Sequence, residues 1–216
     1  FLGELLFHTL GVSAFDLAEF NGTVKHGLKF IDWAKKDFYH PFAATYGIHL
    51  NSQTFSEFIL GKCLEKYGKR FTVKDENVVH TDNIDADYIV KCTGFNSDSN
   101  DYNIPDFETV NSVLLRNSNE TTHEGYTTHH AHEHGWMFGI PLTNRKTYGF
   151  LYNNKLTSKK EACLTFDKIY QGETHREISW KSKIRKTALD GRVLHNGNSL
   201  VFIEPLQAMS LHFYIE

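Results

Sequence analysis

Cysteine is scarce in this sequence of 216 residues: Cys63, Cys92 and Cys163 are widely spaced and odd in number, which excludes a disulfide scaffold and points to a reducing compartment. Neither sign of charge dominates, since 23 Lys+Arg stand against 26 Asp+Glu for a formal net charge of −3; the basic footprint of a nucleic-acid binder is missing. Apolar runs are short. None approaches the roughly 20 residues that cross a bilayer, and the opening FLGELLFHTLG lacks the charged stretch that precedes the apolar core of a secretory signal. These absences predict a soluble, cytoplasmic protein with neither a nucleic acid nor a membrane as partner. CxxC and HExxH spacings are also missing, as are internal repeats and low-complexity tracts.

What the chain does have is apolar bulk. With 40% hydrophobic and 14% aromatic residues a sizeable core is within reach, and typical domains of about 100–200 residues leave room for one large domain or two small ones. FLGELLFHTLG reads as an amphipathic helix. SAFD at Ser13–Asp16 has the form of an N-terminal cap, with Asp where Glu or Gln is usual, and Val24, Leu28 and Ile31 follow at helical spacing. Thr54–Lys69 is predicted as a second helix, with Phe55, Phe58, Ile59 and Leu64 on its apolar face and Gly68 near its end. Strands are predicted in RFTVKD, NVVHTDN, ADYIVKCTGF and NSVLLRN, with residues 96–108 as a surface loop. HHAHEHGWMFGIPL and KTYGFLYNN read as two long strands joined through TNR, and Ser158 as the cap of a helix in KKEACLTFDKIY. REISWKS, IRKTALDG and RVLHNGN are strand-like, and LQAMSLHFYIE closes the chain with helical character. The predicted class is α+β, a largely antiparallel sheet with flanking helices. Residues 1–216 form a single partial domain in this reading, mainly helical over 1–70 and sheet-rich over 71–216, with one helix near 158–170 and a closing helix near 206–214.

A run of histidines ends beside a tryptophan in THHAHEHGWMFGIPL. If Thr128–Phe138 is one strand, alternation sets His130, His132, His134, Trp136 and Phe138 on one face and His129, Ala131, Glu133 and Met137 on the other. Imidazoles two residues apart on a strand can share a Zn²⁺ at about 2.0–2.1 Å, which makes His130, His132 and His134 a candidate metal site. The competing reading is a polar sheet edge rich in histidine, and the missing third-ligand motif favours it.

The tryptophan end of the same stretch carries more. GWMFGIPLTNRKTYGFLYNN resembles the Gly-Trp-x-Trp-x-Ile-Pro-Leu…Arg…Gly-Tyr-x-Tyr segment of the flavin-dependent halogenases, the tryptophan-halogenase family: Trp136, Ile140, Pro141, Leu142, Arg145, Gly149 and Tyr152 fall in place, and Phe138 replaces the second tryptophan. FNGTVKHGLKFIDW followed by FYHPF is similar to a family helix and the Phe-Tyr-His-x-Phe turn after it. ADYIVKCTGF resembles a family strand end, and LVFIEPLQAMSL the family's Phe-Leu-Glu-Pro-Leu-Glu-Ser-Thr. Ordered matches along the whole chain are far more specific than any one pattern.

The resemblance implies an enzyme that uses reduced FAD, O₂ and a halide to make hypohalous acid, and delivers the halogen to an electron-rich aromatic small molecule. A separate flavin reductase would supply the reduced flavin. His40 and Phe42 would pack against the flat substrate, although His40 reads equally well as a turn residue before Pro41. Trp136 and Phe138 would line the passage between flavin and substrate, where ordinary sheet packing also accounts for them. Gly197 and Asn198 stand near the family's flavin-contacting turn, Asn198 in place of a carboxylate. Glu204, Pro205 and Leu206 would pass the isoalloxazine ring, and Met209 and Ser210 would sit where backbone N–H groups hold the halide. Gln207 occupies the position of the family's catalytic-site glutamate; a neutral amide can orient an intermediate but cannot act as a base.

In the family the FAD-binding Rossmann start, with its glycine fingerprint, and the lysine that carries the hypohalous acid are expected upstream of Phe1, so that neither Lys25 nor Lys29 takes that role. The chain then reads as the substrate side of a halogenase fold, a middle portion that retains no FAD, is inactive alone, and either exposes an apolar patch or covers it by forming a homodimer. Two other readings stay open: a flavin monooxygenase without halogenation, and a non-catalytic metal-binding domain using His130, His132 and His134.

Overall fold

A computed structural model describes residues 2–94, 99–121, 124–203 and 205–206. Helix α1 (Leu2–Leu10) opens the chain. Ser13 and Asp16 do form a capping box, but it starts a short 3₁₀ helix, Ala14–Phe20, that ends at Asn21 in the left-handed region with φ 54°. The Asn21-Gly22 turn stops the helix where hydrophobic spacing alone would continue it. Val24, Leu28 and Ile31, read from that spacing as helical, therefore lie in strands β1 (Thr23–Lys25) and β2 (Gly27–Ile31). Strands β3 (Phe38–Pro41) and β4 (Gly47–His49) follow, so residues 1–70 carry four strands beside their helices.

Helix α2 (Ser52–Tyr67) is capped by the Asn51 side chain and ends at Gly68, φ 51°. Phe55 and Phe58 pack on Phe20 with ring centroids 5.1 and 5.3 Å away. Of the strands expected between 70 and 95, only β5 (Ile89–Lys91) forms. Val73, Val78 and Val79 are 54%, 55% and 74% exposed: β propensity without a partner strand or a face to bury does not make a strand. The chain continues through β6 (Tyr102–Asn103), β7 (Ser112–Ser118), β8 (Tyr126–His132), β9 (Gly135–Pro141), β10 (Lys146–Tyr152), α3 (Lys159–Ile169), β11 (Arg176–Ser179), β12 (Lys183–Arg185), β13 (Leu189–Asp190), β14 (Val193–His195) and β15 (Val201–Phe202). The helix expected near 206–214 lies outside the described residues.

Read from sequence as one partial domain, the chain makes two compact units, Phe1–Thr72 with Ser112–Ile178, and Val73–Asn111 with Ser179–Glu216. In the first, a seven-stranded sheet runs in the order β11-β7-β10-β9-β8-β2-β3. Its β10–β7, β10–β9, β8–β9 and β2–β3 pairs are antiparallel and its β2–β8 pair is parallel. Helix α3 covers one face, where Leu114, Met137, Tyr148, Phe150 and Tyr152 meet Ala162 and Phe166. The second unit holds two three-stranded sheets, β15-β12-β6 and β13-β14-β5. Among the described residues, no helix is long and apolar enough to cross a membrane.

The histidine-tryptophan stretch is a hairpin, which corrects its reading as one strand. β8 and β9 turn at Glu133–His134 and pair His129 with Phe138, His130 with Met137 and Ala131 with Trp136. Residues directly opposite share a face. Trp136 and Phe138 therefore sit with His129, while His130 and His132 point to the α3 side with Met137. Gly135 makes the turn: its φ is 154°, and a Cβ there would come within 1.9 Å of the Leu151 carbonyl oxygen.

Candidate functional site

The face of the large sheet away from α3 carries a continuous aromatic cluster. Phe30 on β2 stacks between Phe38 on β3, at 4.7 Å and 12°, and His129 on β8, at 5.1 Å and 19°. His129 lies 5.5 Å from Trp136, and Trp136 lies 6.4 Å from both Phe138 and Trp33. The Trp33 indole N–H donates to the His129 carbonyl at 3.1 Å. Offset rings at these separations are the preferred aromatic geometry. Trp136 is buried at 6% exposure and Phe138 half-buried. Gly149 opposite Phe138 leaves room for the ring, since a Cβ there would meet it at 2.2 Å.

His40 and Phe42 come from the far edge of the same sheet. His40 pairs with Leu28 in the β2–β3 ladder and is exposed. Phe42 follows β3, with its N–H bonded to the His26 carbonyl at 2.8 Å. Above the Phe42 ring, 5.5 Å from its centroid, stands the Lys25 ammonium. Burial pushes Lys25 down from the ordinary lysine value to about 8, because the charged form loses its water and no carboxylate among the described residues replaces it. Gly47 lies opposite Lys25 on β4, where a Cβ would stand in ordinary contact, 3.5 Å from both the lysine stem and the Phe42 ring.

Two residues along the same ladder, His49 faces Thr23. The ring is buried and bonded on both nitrogens, Nδ1 to Thr23 Oγ1 at 3.0 Å and Nε2 to Thr127 Oγ1 at 2.8 Å. Burial, and secondarily the Lys25 charge, hold it down to about 3, so it stays neutral at physiological pH. Neither Lys25 nor His49 was singled out by sequence as functional. A lysine in a polar stretch gives no sign of burial, and the partners of His49 lie 26 and 78 residues away.

The histidines considered as metal ligands do not converge. His130 Nε2 pairs with Asp32 Oδ2 at 2.8 Å. The His132 ring centroid lies 4.6 Å from that of His130, and its basicity is lowered by burial and by His130. His134 sits in the turn. Among the described residues, no three His, Cys, Asp or Glu side chains are arranged to hold a metal ion. A cavity of about 210 Å³, lined by Phe7, Val12, Phe20, Ile48, Leu50 and Phe55 among others, includes none of the predicted site residues.

In the second unit the Asn196–Leu200 turn carries Gly197 and Asn198. Gly197 has φ 64°, with nothing within 4 Å of where a Cβ would stand, and its N–H donates to the Asn196 side chain at 2.7 Å. The buried Ser199 hydroxyl reaches the carbonyls of Asn196 at 2.6 Å and Lys91 at 2.9 Å, fixing the turn against β5. Pro205 and Leu206 are half-buried. Glu204, Gln207, Met209 and Ser210 lie outside the described residues. The open glycine and the backbone around it fit a flat ring laid against main chain.

Residues 69–216 match the family model for tryptophan halogenase. The chain belongs to the tryptophan halogenase family. Among curated relatives, this family member is 23% identical over 209 residues to tryptophan 7-halogenase KtzQ of Kutzneria sp. (strain 744), covering 79% of this chain and 37% of that protein. It is 22% identical over 200 residues to tryptophan 7-halogenase RebH of Lentzea aerocolonigenes, covering 78% and 37%. The chain thus spans 37% of the length of each. The thermophilic tryptophan halogenase Th-Hal from Streptomycin violaceusniger superposes with a TM-score of 0.83 at 17% identity, over 98% of this chain and 62% of that one. BrvH, a flavin-dependent halogenase from Brevundimonas sp. BAL3, gives 0.79 at 16%, over 99% and 61%. The fold is that of flavin-dependent halogenases.

Proposed function

We propose that the protein containing this chain halogenates an electron-rich aromatic small molecule with hypohalous acid, which the family makes from reduced FAD, O₂ and halide, a flavin reductase supplying the flavin. The observation that carries this reading is Lys25: a half-buried ammonium with no carboxylate partner among the described residues, standing over Phe42 with its pKa lowered to about 8. Perturbed lysines of this kind concentrate at functional sites. Lys25 then takes the lysine role that the sequence reading set upstream. Its ammonium donates a hydrogen bond to the oxygen of hypohalous acid and draws electron density from the halogen. The aromatic carbon attacks the halogen; its proton leaves with the hydroxyl as water.

Phe42 and the exposed His40 hold the flat substrate beside Lys25. The Trp136 and Phe138 cluster forms a close-packed wall that keeps water out and keeps the oxidant from escaping to solvent. FAD, when bound, supplies the activated oxygen, and Gly197, Asn198, Pro205 and Leu206 would hold it through backbone contacts. Roles for Glu204, Gln207, Met209 and Ser210 rest on the resemblance alone.

The test is the full-length protein with flavin, a flavin reductase, halide and a panel of indoles and phenols, read by mass spectrometry. Halogenated product is expected. Lys25→Met should lose about 10²–10⁴-fold in rate, the usual range for a group assisting bond changes in the transition state, with the circular dichroism spectrum kept. A folded Lys25→Met variant at full rate, or hydroxylated product regardless of halide, would overturn the reading.

A further inference from the structure

The hydrogen bonds around His49 fix which ring nitrogen carries the proton. Thr23 Oγ1 donates to the Pro141 carbonyl at 2.7 Å. A hydroxyl has one proton and a carbonyl has none. Toward His49 Nδ1, 3.0 Å away, Thr23 Oγ1 can therefore only accept, so Nδ1 is the protonated nitrogen. Nε2 is then bare, and the buried Thr127 hydroxyl, at 2.8 Å, donates to it. The chain Thr127→His49→Thr23→Pro141 runs in one direction with every proton used once. It crosses β8, β4, β1 and β9.

That chain sits two residues from the proposed halogenation lysine on both strands of one ladder. Thr23 pairs with His49, and Lys25 pairs with Gly47. The β1–β4 pair is a separate two-stranded sheet, with no backbone ladder to the seven-stranded sheet. The backbone joins it to that sheet at His26, whose N–H donates to the Gly125 carbonyl at 2.7 Å and whose carbonyl accepts from the Phe42 N–H at 2.8 Å; the His49 chain adds one side-chain hydrogen bond to each of two neighbouring strands.

We infer that His49, held as the Nδ1–H tautomer between Thr23 and Thr127, is the positioning residue that keeps Lys25 docked in its desolvated place beside Phe42. Its neutrality is part of the role. A second proton on the ring would take the acceptor site that Thr127 uses and set a cation beside Lys25, whose charge already bears on the ring. A neutral polar ring satisfies the hydroxyls of Thr23 and Thr127 on two strands without adding charge to the pocket. The inference rests on the reading of Lys25 given above.

Two measurements on the full chain test it, neither of which needs turnover. Two-bond ¹H–¹⁵N correlations on the wild-type protein read the tautomer directly; Nδ1–H with a bare Nε2 is expected, unchanged from pH 8 down to pH 5. Lysine ¹³C-dimethylation then reports the Lys25 pKa by NMR, its signal identified by loss in Lys25→Arg. Thr127→Val removes the donor to Nε2, lets water follow the displaced ring, and should raise the Lys25 pKa by about one unit toward the ordinary value of about 10.4. Thr23→Ser, which keeps the hydroxyl, should leave it in place. An Nε2–H tautomer in the wild type, or an unmoved Lys25 in folded Thr127→Val, overturns the inference. Full halogenation by Lys25→Met would instead sink the functional reading and leave both NMR results standing.

Discussion

His49 makes stability depend on pH in a way that one substitution isolates. The folded ring is held at about 3 against an ordinary value of 6.5. Above 6.5 the imidazole is neutral folded and unfolded, and pH has no leverage through it. Below 6.5 the unfolded chain takes up a proton that the folded chain refuses, so stability is lost as pH falls from 6.5 toward 3. Between pH 7 and pH 5 this one group removes about 2 kcal/mol. His49→Gln keeps a donor and an acceptor but cannot titrate. Urea melts at both pH values should therefore show a loss in the wild type that exceeds the variant's by about that amount; His132 and His195, also shifted down by burial, are common to both and cancel. Equal losses in the two proteins would show that His49 is accessible to protons. Nothing in the sequence around His49, GIHLNS, marks it as buried. What makes it so is Thr127, 78 residues away, and sequence spacing carries no information about a contact that long.

At the scale of elements, local chemistry was readable and topology was not. Ser13 with Asp16 and Ser158 with Glu161 both form capping boxes, since a cap involves four consecutive residues. The same locality explains the failures. Helical spacing through Val24, Leu28 and Ile31 survives in the sequence while the chain turns at Asn21-Gly22, and Glu133-His134 lacks the Asn-Gly or Asp-Gly signature of a tight hairpin, so β8 and β9 read as one strand. The fold of that hairpin depends on Gly135 meeting the Leu151 carbonyl from the next strand. Helix α3 gives a direct test of which face the sheet fixes. Phe166 is fully buried against Phe150, 5.7 Å between rings, with the Arg116 guanidinium 4.1 Å from its centroid, whereas Leu164 on the same helix is 54% exposed. Phe166→Ala should cost about 3–5 kcal/mol and Leu164→Ala no more than about 0.5 kcal/mol. Chemical denaturation of the pair checks this; comparable losses would mean that α3 does not dock by the Phe166 face.

At the scale of the molecule, the second unit leaves apolar surface open. In the β13-β14-β5 sheet, Leu189 pairs with Leu194 and Leu194 with Val90, and the three are 58%, 41% and 59% exposed. Directly opposite residues share a face, so they form one apolar ribbon across the sheet. The β14–β5 pair is parallel, and parallel strands are almost always covered on both faces, because their connections lay helices there. Tyr88, just before β5, is 80% exposed and extends the same imbalance. An apolar ribbon in water is a site of association, since each buried square ångström of it contributes about 25 cal/mol. The 216-residue chain expressed by itself should therefore bind a hydrophobic dye and grow in scattering mass with concentration. Leu194→Lys, which puts a charge at the centre of the ribbon without touching the buried Ile89 and His195, should weaken both. A chain that stays monomeric by light scattering and leaves the dye dark would show that this face is covered within the molecule itself.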